Sequence, residues 1–282
     1  MSAHPYLHKK IALTTKHDKL KLIKPSFDQY IGCELIEIYA DTDQLGTFSG
    51  EIERTAPPRE TAIQKAKLGM QTSGLQLGIA SEGSIGADSQ VPFFVSNIEH
   101  LVLVDDENEI VIAESFRSFE ITAATITITP GQDISDFLTK SDFPNHRLIV
   151  HPNGKVKENC IKAIADFSVL VEAIDNCSAI SPDGSVVVES DLRAMYSPSR
   201  QKNIQQVAQL LAQRVGRLCP KCHMPGWGRV GYETGLKCSE CKFENPQAIR
   251  QEKLGCVKCQ HTELGDVIAT SLKPAQCNFC NP

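Results

Sequence analysis

Ile11-Ala12-Leu13-Thr14-Thr15-Lys16-His17-Asp18-Lys19 passes from an apolar run into a polar turn. Residues 11–15 read as a short buried strand, and Lys16-His17-Asp18-Lys19 opens a helix that ends near Tyr30. A strand that hands its chain to a helix through a polar turn is the building unit of α/β sheets. In such sheets ligands collect beyond the carboxyl ends of strands.

The same alternation continues outward. Residues 34–39 alternate apolar and polar, as a strand does. Residues 41–54 are rich in Asp, Thr and Gly and read as a loop, longer than the usual connection. Pro57 and Pro58 set up a helix over 59–70, with Pro58 suited to its first turn. A strand over 75–80 is expected to run into the polar stretch Ser81-Glu82-Gly83-Ser84. Further strands are expected at 100–104, 110–113 and 121–128, with a hairpin turn at 105–109. Beyond them come a short helix (133–139), a strand (148–150), a long helix (158–173) and a strand (185–189). A last helix over 197–218 is marked by Ile204, Val207, Leu210, Leu211 and Val215, with Ser197 as its N-cap and Pro198 at its first position. The expected architecture is an α/β domain over 1–215, a mixed sheet with flanking helices. A zinc-ribbon-type module is expected over 216–282.

Composition narrows the function classes. The 282 residues are 41% hydrophobic and 22% charged, with a net charge of −5. That is ordinary for a folded domain and does not suit a polyanion binder. Residues 217–282 carry 9 basic and 6 acidic side chains, and the remainder 20 and 28. A tail at +3 lacks the charge of a strongly basic nucleic-acid surface. No run approaches the roughly 18 apolar residues of a membrane span, and the first ten residues lack the apolar core of a signal peptide. A cytoplasmic location without a membrane partner is expected, and thiols remain free for metal in that reducing setting.

The tail holds four Cys-x-x-Cys pairs: Cys219/Cys222, Cys238/Cys241, Cys256/Cys259 and Cys277/Cys280, separated by 15, 14 and 17 residues. Each pair places two sulfurs on one side of a tight knuckle. Two knuckles complete a tetrahedral thiolate shell, which suits Zn²⁺. Two zinc ions are expected. Sequential pairing fits the spacing of zinc sites, but the first pair joining the third or the fourth stays open. Redox dithiols, disulfides and an iron–sulfur cluster are the competing readings. His223 and His261 are read as non-ligands, since the eight cysteines suffice. The large apolar residues Trp227, Tyr232, Phe243 and Phe279 are too few for much of a core. Metal must then supply most of the folding free energy, on the order of 10 kcal/mol per site. Cys33, Cys160 and Cys177 read as buried apolar side chains.

Three polar segments fall at strand ends in the body: residues 14–19, residues 41–54 with Glu60 and Lys65 beyond, and residues 80–84. Thr14, Thr15 and Lys19 can face a phosphate at a helix N-terminus. Glu60 and Glu82 can hold Mg²⁺, which prefers oxygen ligands. Asp41, Asp43 and Glu51 are spare carboxylates. Arg193 and Arg200, either side of Ser197-Pro198, offer two guanidiniums to a phosphate. Against this stands a plainer account: lysines coating a helix start, Asp and Gly as ordinary turn formers, and Glu60 and Lys65 on a solvated helix surface.

The set Thr14-Thr15-Lys16-His17-Asp18-Lys19, Asp41-Thr42-Asp43, Gly46-Thr47-Phe48-Ser49-Gly50-Glu51-Ile52-Glu53-Arg54, Ala80-Ser81-Glu82-Gly83-Ser84, Asp191-Leu192-Arg193-Ala194 and Ser197-Pro198-Ser199-Arg200, with the cysteine tail, resembles a bacterial family of unknown function. Residues 11–84 also resemble the inosine-triphosphate pyrophosphatase group, which cleaves non-standard nucleoside triphosphates with Mg²⁺. Thr14 to Lys19 is similar to its Thr-x-Asn-x-x-Lys loop. Glu60-Thr61-Ala62-Ile63-Gln64-Lys65-Ala66 is similar to its Glu-Asn-Ala-x-x-Lys-Ala helix, and Ala80 to Ser84 to its Ala-Asp-Asp-Ser-Gly turn. The likeness implies that fold, with Glu60 on the metal, Lys19 and Lys65 on phosphates, and Glu82 as metal ligand or base. Ser81 stands where the group has its first Asp, its Gly-Phe-Gly-Tyr-Asp-Pro segment has no counterpart, and Ser199-Arg200 only echoes its Ser-His-Arg. Two other functions compete with such a pyrophosphatase. One is a binding module whose ribbons hold nucleic acid or protein on a face of Lys221, Arg229, Lys237, Lys242, Lys253, Lys258 and Lys273. The other is base or tRNA modification.

Overall fold

The computed structural model describes residues 3–46, 56–154 and 159–281. The stretch Thr47 to Thr55, with Glu51, lies outside the described residues, as does the first residue of the helix expected over 158–173. The chain divides into two compact units, Tyr6–Ala212 and Met1–Pro5 with Gln213–Pro282.

The first unit begins β1 (Lys10–Thr14), α1 (Leu20–Tyr30), β2 (Glu34–Ile38), α2 (Pro58–Ser73), β3 (Leu77–Ala87), β4 (Val95–Asp105) and β5 (Ile110–Ser118). The strands form one mixed sheet in the order β2-β1-β3-β4-β5. β1 runs parallel to both β2 and β3, while β3, β4 and β5 form an antiparallel meander. Ile11, Ala12, Leu13, Ile79, Leu101, Val102 and Leu103 are almost wholly buried, as strands covered on both faces require. Ala62, Ala66 and Met70 of α2 pack on Ala80, Val102 and Val104. Period two then sends Glu82 toward α2 and Ser81 and Gly83 to the opposite face.

The strand expected to end at Ala80 continues through the polar stretch 81–84. Its register with β4 is unbroken from Leu77↔Asp105 to Ala87↔Val95. Its polar residues signal a buried site inside a long hairpin, with Ser81 and Glu82 both buried.

A second sheet follows, with β6 (Thr125–Ile128), α3 (Ser135–Lys140), β7 (Leu148–Pro152), β8 (Ile161–Ile164), α4 (Phe167–Ile180) and β9 (Val186–Ser190). Its strand order is β6-β9-β7-β8, all antiparallel. The long helix expected over 158–173 is corrected: β8 occupies its first half and α4 starts later. Asp166 sets that start, its carboxylate accepting the N–H groups of Ser168 and Val169. α5 (Pro198–Gly216) closes the unit and continues into the next. Ser197 precedes α5 at the cap position, but among the described residues its buried Oγ has no hydrogen-bond partner.

The second unit carries a three-stranded antiparallel sheet, β10 (Gly228–Lys237), β11 (Glu244–Gly255) and β12 (Thr262–Val267), in that order. Its small apolar cluster is Leu236, Leu272, Cys238 and Cys277. Among the described residues no helix is long and apolar enough to cross a membrane.

Candidate anion pocket and candidate metal centres

β1 ends at Thr14, opposite Ala80, while β3 continues for seven residues. Beyond the end of β1 lies a pocket lined by Thr14, Thr15, Lys16, His17, Lys19, Thr42, Asp43, Gly46, Lys65, Ser81, Glu82 and Arg200. Its open interior of about 40 Å³ has room for a few water-sized groups, the scale of one tetrahedral oxyanion.

Each sheet face supplies part of the pocket. On the α2 face, Lys65 Nζ donates to Glu82 Oε2 at 2.7 Å, with both side chains largely buried. Thr14 also lies on this side. Among the described residues its buried Oγ1 has no hydrogen-bond partner, and a β-carbon on Gly69 would stand 1.9 Å from it. The hydroxyl therefore leans on the α2 backbone, and the glycine makes room for it. On the other face, Lys19 Nζ donates to Ser81 Oγ at 2.7 Å. Arg200 is buried and donates through Nε to Glu99 Oε1 at 2.6 Å and through Nη1 to the Leu192 carbonyl. Asn97 donates to Glu99, and Asn203 donates to Asn97. At the rim Lys16 donates to Asp41 at 2.6 Å and Asp43 at 2.8 Å. The turn itself is held by the His17 N–H donating to Thr15 Oγ1 and by Asp18 in the left-handed region at φ 51°.

The pocket is electropositive. Burial pushes the His17 imidazole down to about 3, with Lys19, Arg200, Arg193 and Lys65 adding to the shift. Burial also lowers the Lys19 ammonium to about 8, helped by Arg200 and opposed by Glu99 and Glu82. Of the residues singled out in the sequence, the fold brings Thr14, Thr15, Lys19, Lys65, Glu82 and Arg200 together. Glu60 and Arg193 are not among the lining residues. Glu60 is half exposed near Arg59, and Arg193 makes a two-point pair with Asp191 and stacks over Tyr196.

Sequence reading missed Ser81 as the partner of Lys19, Glu99 as the partner of Arg200, and a contact set around His146. His146 Nδ1 lies 2.8 Å from Asp142 Oδ2, and its Nε2 lies 2.9 Å from Ser199 Oγ. The order resembles a hydrolase triad, but the Ser199 N–H also donates to Nε2 and the Thr122 N–H donates to Ser199 Oγ. The hydroxyl is engaged on both sides, and the set ties the start of α5 in place.

In the second unit the eight cysteines form two groups, Cys219, Cys222, Cys256 and Cys259, and Cys238, Cys241, Cys277 and Cys280. In each, one sulfur per residue lies within 4.8 Å of the other three. The closest cross-knuckle pairs are 3.5–3.8 Å apart. A tetrahedron of Zn–S bonds near 2.3 Å has edges of about 3.8 Å, so both groups fit zinc. Burial raises the Cys219 thiol, but the N–H groups of Cys222 and Lys221 outweigh it and bring the group down to about 6. Such N–H donors favour the thiolate that a metal requires.

The pairing is first with third and second with fourth, which settles the connectivity left open by the spacing. The reason is the hairpin. β10 leaves the first group at Gly228 and arrives beside Cys238, and β11 returns to Gly255 beside Cys256. Ten residues of strand span roughly 30 Å. Successive pairs therefore stand at opposite ends and cannot share an ion. Trp227 stacks on His261 at the first group, and Phe243 on Phe279 at the second. Neither His223 nor His261 joins a cysteine group.

A family model described as Domain of unknown function (DUF6671) matches residues 65–282. Among curated proteins none matches. Among solved structures, protein VC0702 from Vibrio cholerae is similar at 10% identity and a TM-score of 0.31, over 73% of this chain and 93% of that one. At that score nothing about this chain follows from the likeness.

Proposed function

The chain belongs to the family described as Domain of unknown function (DUF6671), and we propose for it a phosphate-binding function at the end of β1, in a chain whose tail holds two zinc ions. The observation that carries this reading is the convergence of Lys19, Lys65 and Arg200, with Thr14 and Thr15, on one small pocket. A phosphate dianion there would accept charge-assisted hydrogen bonds from these groups and offset the mutual repulsion of the cations. The ligand class is a phosphate-bearing small molecule, with a nucleotide as the leading member.

The finer reading, Mg²⁺-dependent cleavage of a nucleoside triphosphate, rests on Glu82. Among the described residues, Glu82 and Asp43 are the carboxylates lining the pocket, and Lys65 and Lys16 engage them. Glu82 would hold a Mg²⁺ ion, which would supply electrostatic stabilisation of the phosphate charge. Glu60 stands outside this arrangement. The reading of the tail as a nucleic-acid surface has less behind it, because Arg229 pairs with Glu252 and Lys253 with Glu233.

Calorimetric titration with phosphate, pyrophosphate and nucleoside mono- and triphosphates, with and without Mg²⁺, tests the pocket. Lys65→Gln is expected to weaken the best ligand at least about tenfold, the size of a lost charge-assisted contact. Wild-type affinity in that variant, or no binding of any phosphate compound, refutes the reading. Pyrophosphate release across the same nucleotides should respond to Glu82→Gln and not to Glu60→Gln.

A further inference from the structure

We propose that Ser81 is a nucleophile toward a phosphoryl group and that Lys19 is its general base. The inference rests on the phosphate reading of the pocket and adds a covalent step to it.

Lys19 is an unusual lysine. It is buried, and among the described residues it forms no ion pair; its nearest partner is the Ser81 hydroxyl at 2.7 Å. A buried ammonium normally has a carboxylate partner, because desolvation is costly. Here Arg200 and Lys65 add repulsion, and the Glu99 and Glu82 carboxylates are engaged by those two residues. The free amine is therefore within reach near neutral pH, and its lone pair can accept the proton that Ser81 must lose. This is the serine–lysine form of an activated hydroxyl.

Position agrees with chemistry. Ser81 is the first residue of β3 past the last β1 partner, so the hydroxyl sits where the sheet opens into the pocket. Lys65 and Arg200 line the same space and can neutralise charge on phosphoryl oxygens. The small interior takes one such group. Ser199, by contrast, has its hydroxyl engaged by the Thr122 N–H and His146 and does not line the pocket.

The step balances as follows. Ser81 Oγ bonds to phosphorus while its proton passes to Lys19 Nζ, and the bond from phosphorus to the leaving oxygen breaks. The Lys19 ammonium returns the proton to that oxygen. Water then attacks the same phosphorus with Lys19 again as base, the bond to Ser81 Oγ breaks and the proton passes to that oxygen, which releases the phosphate or phosphate monoester and restores the hydroxyl. No oxidant or reductant is needed. Glu82, on the opposite sheet face from Ser81, orients Lys65 instead of supplying the base.

The test uses the full zinc-loaded chain and an alkyl fluorophosphonate. This probe loses fluoride on attack and leaves a stable adduct. Peptide mapping of the wild-type protein is expected to find the label on Ser81. Labelling should rise about tenfold per pH unit below pH 8 and level off above it. Lys19→Met should slow it about 100-fold or more, and excess inorganic phosphate should protect. Mapping needs no variant, so misfolding of a Ser81→Ala chain cannot obscure the outcome. A label on another residue, or none, overturns the nucleophile. If phosphate still binds by calorimetry in that case, the pocket reading survives. If it does not bind, both fall.

Discussion

Arg200 crosses β3 where Gly83 leaves it space: a β-carbon on Gly83 would stand 2.3 Å from Arg200 Nη2 and 2.6 Å from Glu99 Oε1. Glu99 is the direct β4 neighbour of Gly83, and Arg200 and Glu99 are each almost wholly buried. The absent side chain is what lets a guanidinium–carboxylate pair lie flat on the sheet beneath the pocket. Gly83→Ala should therefore force one partner out. Breaking a buried pair costs about 3 kcal/mol or more, and urea unfolding should show a loss of that size. A loss below about 1 kcal/mol would mean that the pair can slide without harm.

His17 reports the charge of the pocket. Its folded value near 3, set by burial and then by Lys19, Arg200, Arg193 and Lys65, lies below the ordinary 6.5. The unfolded chain thus takes up a proton below pH 6.5 that the folded chain refuses, and stability falls as pH drops from 6.5 toward 3. The loss reaches up to about 2 kcal/mol at pH 5, and His17→Gln should remove it. Bound phosphate offsets the cations and should raise the His17 value. Proton NMR of the imidazole checks both statements. Titration near 6.5 without phosphate, or no upward move on adding it, would count against an electropositive pocket.

What the sequence made legible was local. The strand, turn and helix from Ile11 to Tyr30 follow from an apolar run and its polar stop, and α2 from Pro58 at its first turn. The polar clusters at 14–19 and 80–84 stood out as residues in need of a reason. The reasons themselves are contacts between distant parts of the chain. Lys19 meets Ser81 across 62 positions and Arg200 meets Glu99 across 101. No period or propensity encodes such partners. A strand end at Ala80 follows from polarity only where polar residues face solvent, and here Ser81 and Glu82 are buried. The helix expected over 158–173 failed because a strand precedes the Asp166 cap.

His146 should matter for stability and not for chemistry. It accepts from Ser199 at the head of α5 and bonds to Asp142, and it is itself buried. His146→Ala leaves the α5 donors without that acceptor, at a cost of about 2 kcal/mol. Thermal unfolding should shift down accordingly, while fluorophosphonate labelling of the folded protein keeps its rate. A stable variant that has lost labelling would instead give Ser199, His146 and Asp142 a catalytic role.

Cys219 and Cys259 belong to one group although two intervening cysteines belong to the other, and this order can be tested by counting metal. In a chain with Cys219, Cys222, Cys256 and Cys259 all changed to Ser, Cys238, Cys241, Cys277 and Cys280 remain a complete set. Plasma emission spectrometry should then find one zinc per chain against two in the wild type. Sequential pairing would have broken both sites and left none. The wild-type tail should lose its fold on chelation, since Leu236, Leu272 and two cysteines are too small a core to hold three strands. A fully folded tail with both ions removed would show that the hairpin of β10 and β11 stands without them.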